Sequence, residues 1–289
     1  GDFWVLADGA ANAGPRTDRG GVYAQADDAN PERIRVSGEL RYATANMPAV
    51  TAGATFDGPL VGIMDYDRAS YAVRVTQALS VVVTTQLAPE VTPLTGDALY
   101  QSIATLDVSN LGGSAGESAF AAKAALIVQN LRSPDIVVLD EVGDNNGVVD
   151  DGIVAADVTF GRLIAAVQQA GGPSYAYAQV DPFDAEDGGE LGSNARLGLL
   201  YNPQRVQLAA RPGDAGTDNS VSCTAGQASL ALNPGRIGAN AGDFLDGRKP
   251  LAAQFTAAGE RLFVIAVHFD GKASDTPEFG AEQPVSAYS

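Results

Sequence analysis

Apolar residues along the first part of the chain come in short, partly alternating runs rather than at helical spacing. Gly21-Val-Tyr-Ala, Ile34-Arg-Val-Ser-Gly-Glu-Leu, Tyr71-Ala-Val-Arg-Val and Leu79-Ser-Val-Val-Val are separated by clusters of Gly, Pro, Asn and Asp. That punctuation marks strands joined by turns. Strands of this length find cover in a small barrel or sandwich. Ala88-Pro-Glu-Val-Thr-Pro-Leu-Thr-Gly then breaks the pattern with two prolines and a glycine, which predicts a linker. The expected organisation is a β-barrel-like module over 1–87, a linker over 88–98 and a second domain over 99–289.

The second domain has a different rhythm. Ser102-Ile-Ala-Thr-Leu-Asp-Val and Asp135-Ile-Val-Val-Leu-Asp are apolar runs of buried-strand length. Between them, Ser118 to Leu131 is Ala-rich, with Phe120, Ala124, Ile127 and Leu131 on one helical face. Phe160, Leu163, Ile164 and Val167 repeat at i, i+3, i+4, i+7, and Gly171-Gly172-Pro173 stops that helix. Arg196-Leu-Gly-Leu-Leu-Tyr, Leu230-Ala-Leu and Leu262-Phe-Val-Ile-Ala-Val-His predict further strands. Strands alternating with helices imply an α/β domain whose active face lies at strand ends.

Composition narrows the chemistry. The formal charge is −17, with 18 basic against 35 acidic residues. Such a surface gives no general attraction for polyanions or anionic membranes, so nucleic-acid chemistry would need local Arg clusters or bound cations. Acidity of this kind also keeps a protein soluble, for instance in a salty medium. No apolar run is long enough to span a bilayer as a helix, and no basic segment followed by an apolar one marks a signal peptide. Gly1 as first residue is expected of a mature or trimmed product. Cys223 is the one cysteine, so an internal disulfide is excluded, and with one histidine as well a zinc site is poorly supplied.

Few residues remain for chemistry. Glu141 follows an apolar strand beside Asp140 and ahead of Asp144, Asn145 and Asn146. Carboxylates there are hard ligands for Mg²⁺ or Ca²⁺, or simply charges where a chain surfaces. Asp144-Asn-Asn-Gly-Val-Val-Asp-Asp has the look of a calcium loop but lacks EF-hand spacing, which favours a polar turn. His268 ends the most hydrophobic strand, where it could serve phosphate or act as a general acid, or only cap the strand. Arg196 carries a planar fork suited to phosphate or to bridging carboxylates. Walker loop, dinucleotide fingerprint and serine elbow are all missing from the sequence.

These pieces occur in a familiar order. Ile103-Ala-Thr-Leu-Asp-Val-Ser-Asn-Leu resembles a strand written A-T-F-N-V-E-N-L, and Ser133-Pro-Asp-Ile-Val-Val-Leu-Asp-Glu-Val-Gly-Asp-Asn resembles a metal-binding strand whose Glu is the ligand. Asp187 to Val206, Asn233-Pro-Gly-Arg-Ile, Arg248-Lys-Pro-Leu-Ala-Ala-Gln-Phe and Val264-Ile-Ala-Val-His-Phe-Asp-Gly-Lys follow in turn. Together they resemble the endonuclease/exonuclease/phosphatase superfamily, in its bacterial extracellular nuclease branch. Asp2-Phe-Trp-Val-Leu-Ala-Asp-Gly and Gly58-Pro-Leu-Val-Gly-Ile-Met-Asp-Tyr are similar to the oligonucleotide-binding-like module that precedes the catalytic domain in that branch.

The resemblance implies an all-β module followed by an α/β four-layer sandwich of deoxyribonuclease-like type. It implies a secreted or cell-surface bacterial enzyme acting on nucleic acid or another phosphodiester with Mg²⁺ or Mn²⁺, possibly Ca²⁺. Glu141 and Asp107 would hold the metal, and His268 would sit at the scissile phosphate. Asn194, Arg196 and Tyr175 would lie near the phosphate groove. Asp107 stands where the family has Asn, and Val267 where Asn precedes the His. The family's G-D-F-N and terminal S-D-H segments would fall beyond Ser289, so the domain is expected to be truncated. A missing segment or second chain would then complete it. Two other outcomes stay open: a non-catalytic surface or partner-binding module, and a phosphatase or lipid phosphodiesterase.

Overall fold

The computed structural model describes residues 2–17, 20–22, 32–40, 47–67, 70–83, 88–244 and 247–268. They fall in two compact units, one within Gly1–Ala88 and one within Pro89–Asp270. The chain is mixed, mostly β with few helices.

In the first unit the strands are β1 (Asp2–Leu6), β2 (Arg33–Ser37), β3 (Thr55–Phe56), β4 (Gly62–Asp67), β5 (Ser70–Val75) and β6 (Val81–Val83). They form an open sheet in the order β1-β2-β5-β4, with β2 and β5 parallel, and a separate β3–β6 ribbon. Alternation decides what is buried. Val36 and Val75 lie inside, with Phe3, Val5, Leu60 and Val73 packed on them. Of the predicted Gly21–Ala24 strand, Val22 bridges Arg16, while Tyr23 and Ala24 lie outside the described residues.

The second unit opens with β7 (Ile103–Leu111), α1 (Glu117–Ala125), β8 (Ile136–Val142), α2 (Asp157–Gln169), β9 (Ala176–Gln179) and β10 (Arg196–Tyr201). Four of these strands make one sheet, β7-β8-β10-β9, in which only β7 and β8 run parallel. Both helices cover one face of it. Phe120, Ala124 and Ile127 from the first helical segment and Phe160, Leu163 and Val167 from α2 pack on Val137, Leu139, Val142 and Leu200. The first helix is shorter in α-form than its periodicity predicts. It turns into π-geometry over Leu126–Asn130, then left-handed Arg132 and Ser133 carry the chain into β8. Asn145 caps α2 from a distance, its Oδ1 accepting from the Val158 amide, and Asp157 adds favourable charge at the helix start.

The other face of the sheet packs on a second sheet. Its strands are β11 (Gln207–Leu208), β14 (Gly235–Arg236), β15 (Leu251–Ala257) and β16 (Glu260–Ala266); β12 (Val221–Thr224) and β13 (Gln227–Leu230) form a separate ribbon. Ile136, Leu197 and Leu199 meet Leu251, Ala253, Phe255 and Val264 between the sheets. Among the described residues β16 is paired on one side only; its Phe263 and Ile265 are exposed, as is Val267 after it. The expected Leu230-Ala-Leu strand ends at Leu230, and Val267 and His268 lie beyond the end of β16.

Close packing makes one glycine indispensable. A Cβ on Gly198 would stand 2.4 Å from Cζ of Phe160, so α2 can seat that ring on the sheet only against a bare backbone. Gly198→Ala should destabilise the unit by about 1–3 kcal/mol through overpacking, read by denaturant unfolding.

Candidate active site

Glu141 lies inside β8, not after it, because pairing continues to Val142. Its backbone is left-handed, with φ 59°. Pairing on both sides of it is irregular. Against β10, Arg196 and Gly198 face Val142 and Leu139, so β8 carries an extra residue. Against β7, Asp107 and Leu111 face Asp140 and Val142, so β7 carries two extra, with Ser109 and Asn110 also left-handed. Bulges of this kind re-aim side chains, and left-handed geometry in a residue with a Cβ costs roughly 1–2 kcal/mol. The sheet thus breaks its own regularity where Glu141 is presented.

Two cationic or potentially cationic groups converge on that carboxylate. Arg248, just before β15, donates from Nη2 to Oε1 at 2.9 Å. Nε2 of His268, which follows β16, lies 3.4 Å from the same oxygen. Three segments distant in sequence therefore meet at one carboxylate, and all three side chains are largely buried.

Asp140 and Asp107 complete the surroundings. They are register partners on adjacent strands, and Thr105 donates to Asp140 Oδ2 at 3.1 Å. Oδ1 of Asp140 is buried and accepts no hydrogen bond. Burial pushes the Asp140 carboxyl above the ordinary range, opposed by the Thr105 bond and the charge of His268 and reinforced by Asp107 and Glu141. Asp107 is exposed, one oxygen accepting from the Ser109 amide at 2.6 Å.

The remaining predicted residues are committed elsewhere. Asn194 is buried and ties loops together, donating to Asp144, Asp184 and the Ile153 carbonyl and accepting from Ala185. Arg196 is buried against Asp181 at 2.6 Å and the Asn194 carbonyl; burial pulls its guanidinium down to about 10. It pairs with one carboxylate, and Gln179 and the Asn194 carbonyl take its other donations. Tyr175 is a core residue whose hydroxyl donates to the Pro134 carbonyl, before β8 begins and far along that strand from Glu141. Asp144 is fully buried in a polar turn, its Oδ1 accepting from the amides of Asn146 and Gly147. Cys223 is free and exposed. Two members of the cluster were not predicted as site residues. Arg248 is visible in sequence only as part of Arg248-Lys-Pro, and Asp140 only as the neighbour of Glu141.

The donor set suits a hard cation held sparsely. Among the described residues no three His, Cys, Asp or Glu side chains gather closely enough to form a cage. Mg²⁺ does not need one: it keeps several waters and takes one or two carboxylates. The carboxylates here are Glu141, Asp140 and Asp107, and Asp140 Oδ1 has no hydrogen-bond partner among the described residues.

Residues 1–86 match a family described as "Domain of unknown function (DUF8508)". No curated protein matches the chain. Among solved structures it is similar to D. rerio TDP2, in one case humanized by 14 mutations and in another complexed with single strand DNA product. Each is 17% identical over 57% of this chain, with a TM-score of 0.27. The chain spans less than half of either, 45% and 44%. Likeness this distant says nothing about chemistry, which has to come from the site itself. No described helix is long and apolar enough to cross a membrane.

Proposed function

We propose that this chain carries the metal site of a phosphodiester hydrolase of nuclease type, within a four-layer deoxyribonuclease-like sandwich, in an extracellular bacterial protein. The observation that carries it is Glu141, held left-handed between two bulges with Arg248 and His268 on one of its oxygens. The ordered motifs that place Glu141 and His268 in superfamily positions support the same reading.

Glu141 and Asp107 would hold Mg²⁺ or Mn²⁺, which when bound neutralises phosphate charge and lowers the pKa of a coordinated water. His268 lies within reach of a phosphate brought to Glu141 and can donate to a non-bridging oxygen as charge develops. Arg248 holds Glu141 in place through the bond to Oε1. Removing one such donor lowers turnover about 10²–10³-fold, so His268→Ala should do so with little change in KM, measured on a small phosphodiester.

A second reading has one observation in its favour. Arg248 already occupies Glu141 Oε1, as in a purely structural ion pair. A non-catalytic binding module derived from the same fold would look like that. A formal charge of −17 also favours a small phosphoester over long DNA. Calorimetry with Mn²⁺, run beside p-nitrophenol release from bis(p-nitrophenyl) phosphate, separates the two. A hydrolase shows metal binding and EDTA-sensitive turnover, both lost in Glu141→Gln. A binding module shows neither.

A further inference from the structure

Arg248 is oriented by very little hydrogen bonding. Nη2 donates to Glu141, whereas Nε is buried and has no hydrogen-bond partner among the described residues. What fixes its plane has to be packing. The main chain of Gly189, in the loop between β9 and β10, supplies it. A Cβ at Gly189 would stand 3.1 Å from Arg248 Nη2 and 3.5 Å from its Cζ, with Cβ of Ala195 also at 3.5 Å. Gly189 has φ +90°, so the position is closed to side chains both by conformation and by space.

The turn that carries Gly189 is bolted to the segment that carries Arg248. Asp187 pairs with Arg236 at 2.6 Å and with Lys249, the neighbour of Arg248, at 3.3 Å. All three of these side chains are more than nine-tenths buried. Lys249 also donates to the carbonyls of Phe244 and Gly247, which pins the approach to β15. From the other end, Ser193 donates back to the Glu190 carbonyl and Asn194 accepts from Ala185, closing the loop on itself. Asp187 thus holds Lys249 while Gly189 roofs Arg248: residues two apart on one segment grip adjacent residues on another.

We propose that Gly189 is a positioning residue. Its bare backbone, seated by the buried Asp187–Lys249–Arg236 cluster, sets the Arg248 guanidinium against Glu141. As a statement about function it rests on the hydrolase reading; as a statement about geometry it does not.

The test uses a matched pair of variants. Gly171 has the same φ of +90° and nothing within 4 Å of its missing Cβ. Gly171→Ala therefore reproduces the backbone strain of Gly189→Ala without the steric push. The probe is the Arg248 Nε–H resonance in ¹⁵N-labelled full chain, assigned by its loss in Arg248→Lys. Gly189→Ala should shift that signal and raise its solvent exchange severalfold, while Gly171→Ala leaves it in place. Equal signals in the two variants would overturn the proposal. Should Gly189→Ala not fold, Lys249→Met cuts the bolt while keeping the stem. The Arg248 signal should then move as well, and an unmoved signal overturns the proposal equally. Turnover is read in parallel. A shifted resonance in a chain that hydrolyses nothing keeps the positioning role and removes the hydrolase reading. An active chain whose resonance does not move does the reverse.

Discussion

Asp187→Ala is expected to destabilise the Pro89–Asp270 unit by about 3–5 kcal/mol. The carboxylate is 3% exposed and faces two cations that are 4% and 6% exposed. Removing it leaves Arg236 and Lys249 buried without a counter-charge. Their remaining partners are carbonyls, of Ala215 for Arg236 and of Phe244 and Gly247 for Lys249, and dipoles do not replace a charge in a medium of low dielectric. Removing one partner of a buried pair costs far more than replacing the whole cluster by apolar residues would. Urea unfolding followed by far-UV circular dichroism measures the difference. A loss below about 1 kcal/mol would mean that water reaches the cluster.

Glu141→Ala is expected to abolish hydrolysis within detection, a fall of about 10³-fold or more. Lewis-acid stabilisation by a bound cation contributes several kcal/mol, and about 1.4 kcal/mol corresponds to each factor of ten. The same substitution leaves the backbone strain in place. Alanine tolerates φ 59° no better than glutamate, so the strain stays, while Arg248 loses its carboxylate. Activity should therefore vanish with no gain in stability. Glu141→Gly would relieve the strain and test it separately, since glycine adopts positive φ without penalty. Measuring turnover and unfolding on both variants separates the chemical role of the carboxylate from the conformational burden of presenting it.

Much of the second unit was legible because β8, β10 and β16 are largely apolar runs and α2 keeps a strict period. Phe160, Leu163 and Val167 are spaced at i, i+3 and i+7, and all three are buried on the sheet. What sequence could not supply was irregularity. Nothing in Val-Val-Leu-Asp-Glu-Val announces that β8 runs on through Glu141 with a left-handed residue inside it; the bulge arises from pairing with β10, a contact remote in sequence. The π-turn after Ala125 is hidden for the same reason, since 126–130 read as ordinary helix. At the site, Glu141 stood out as a carboxylate at a strand end beside Asp140, and His268 as the one histidine. Arg248 did not, because an arginine announces charge and not a partner, and its partner lies 107 positions away. Asn194 and Arg196 were expected near the groove because the family resemblance puts them there, and a resemblance carries no information on burial. In the fold, burial forces each to satisfy its own hydrogen bonds within the loops.

The central question is whether this carboxylate serves metal-dependent cleavage of a phosphodiester. Nicking of supercoiled plasmid by the full chain, with Mg²⁺ or Mn²⁺ and against EDTA, asks that most directly. The predicted result is nicking that requires the metal, disappears in Glu141→Ala and falls about 10²–10³-fold in His268→Ala. Folded chain that leaves the plasmid supercoiled under both metals, or nicks it equally well without Glu141, would contradict it.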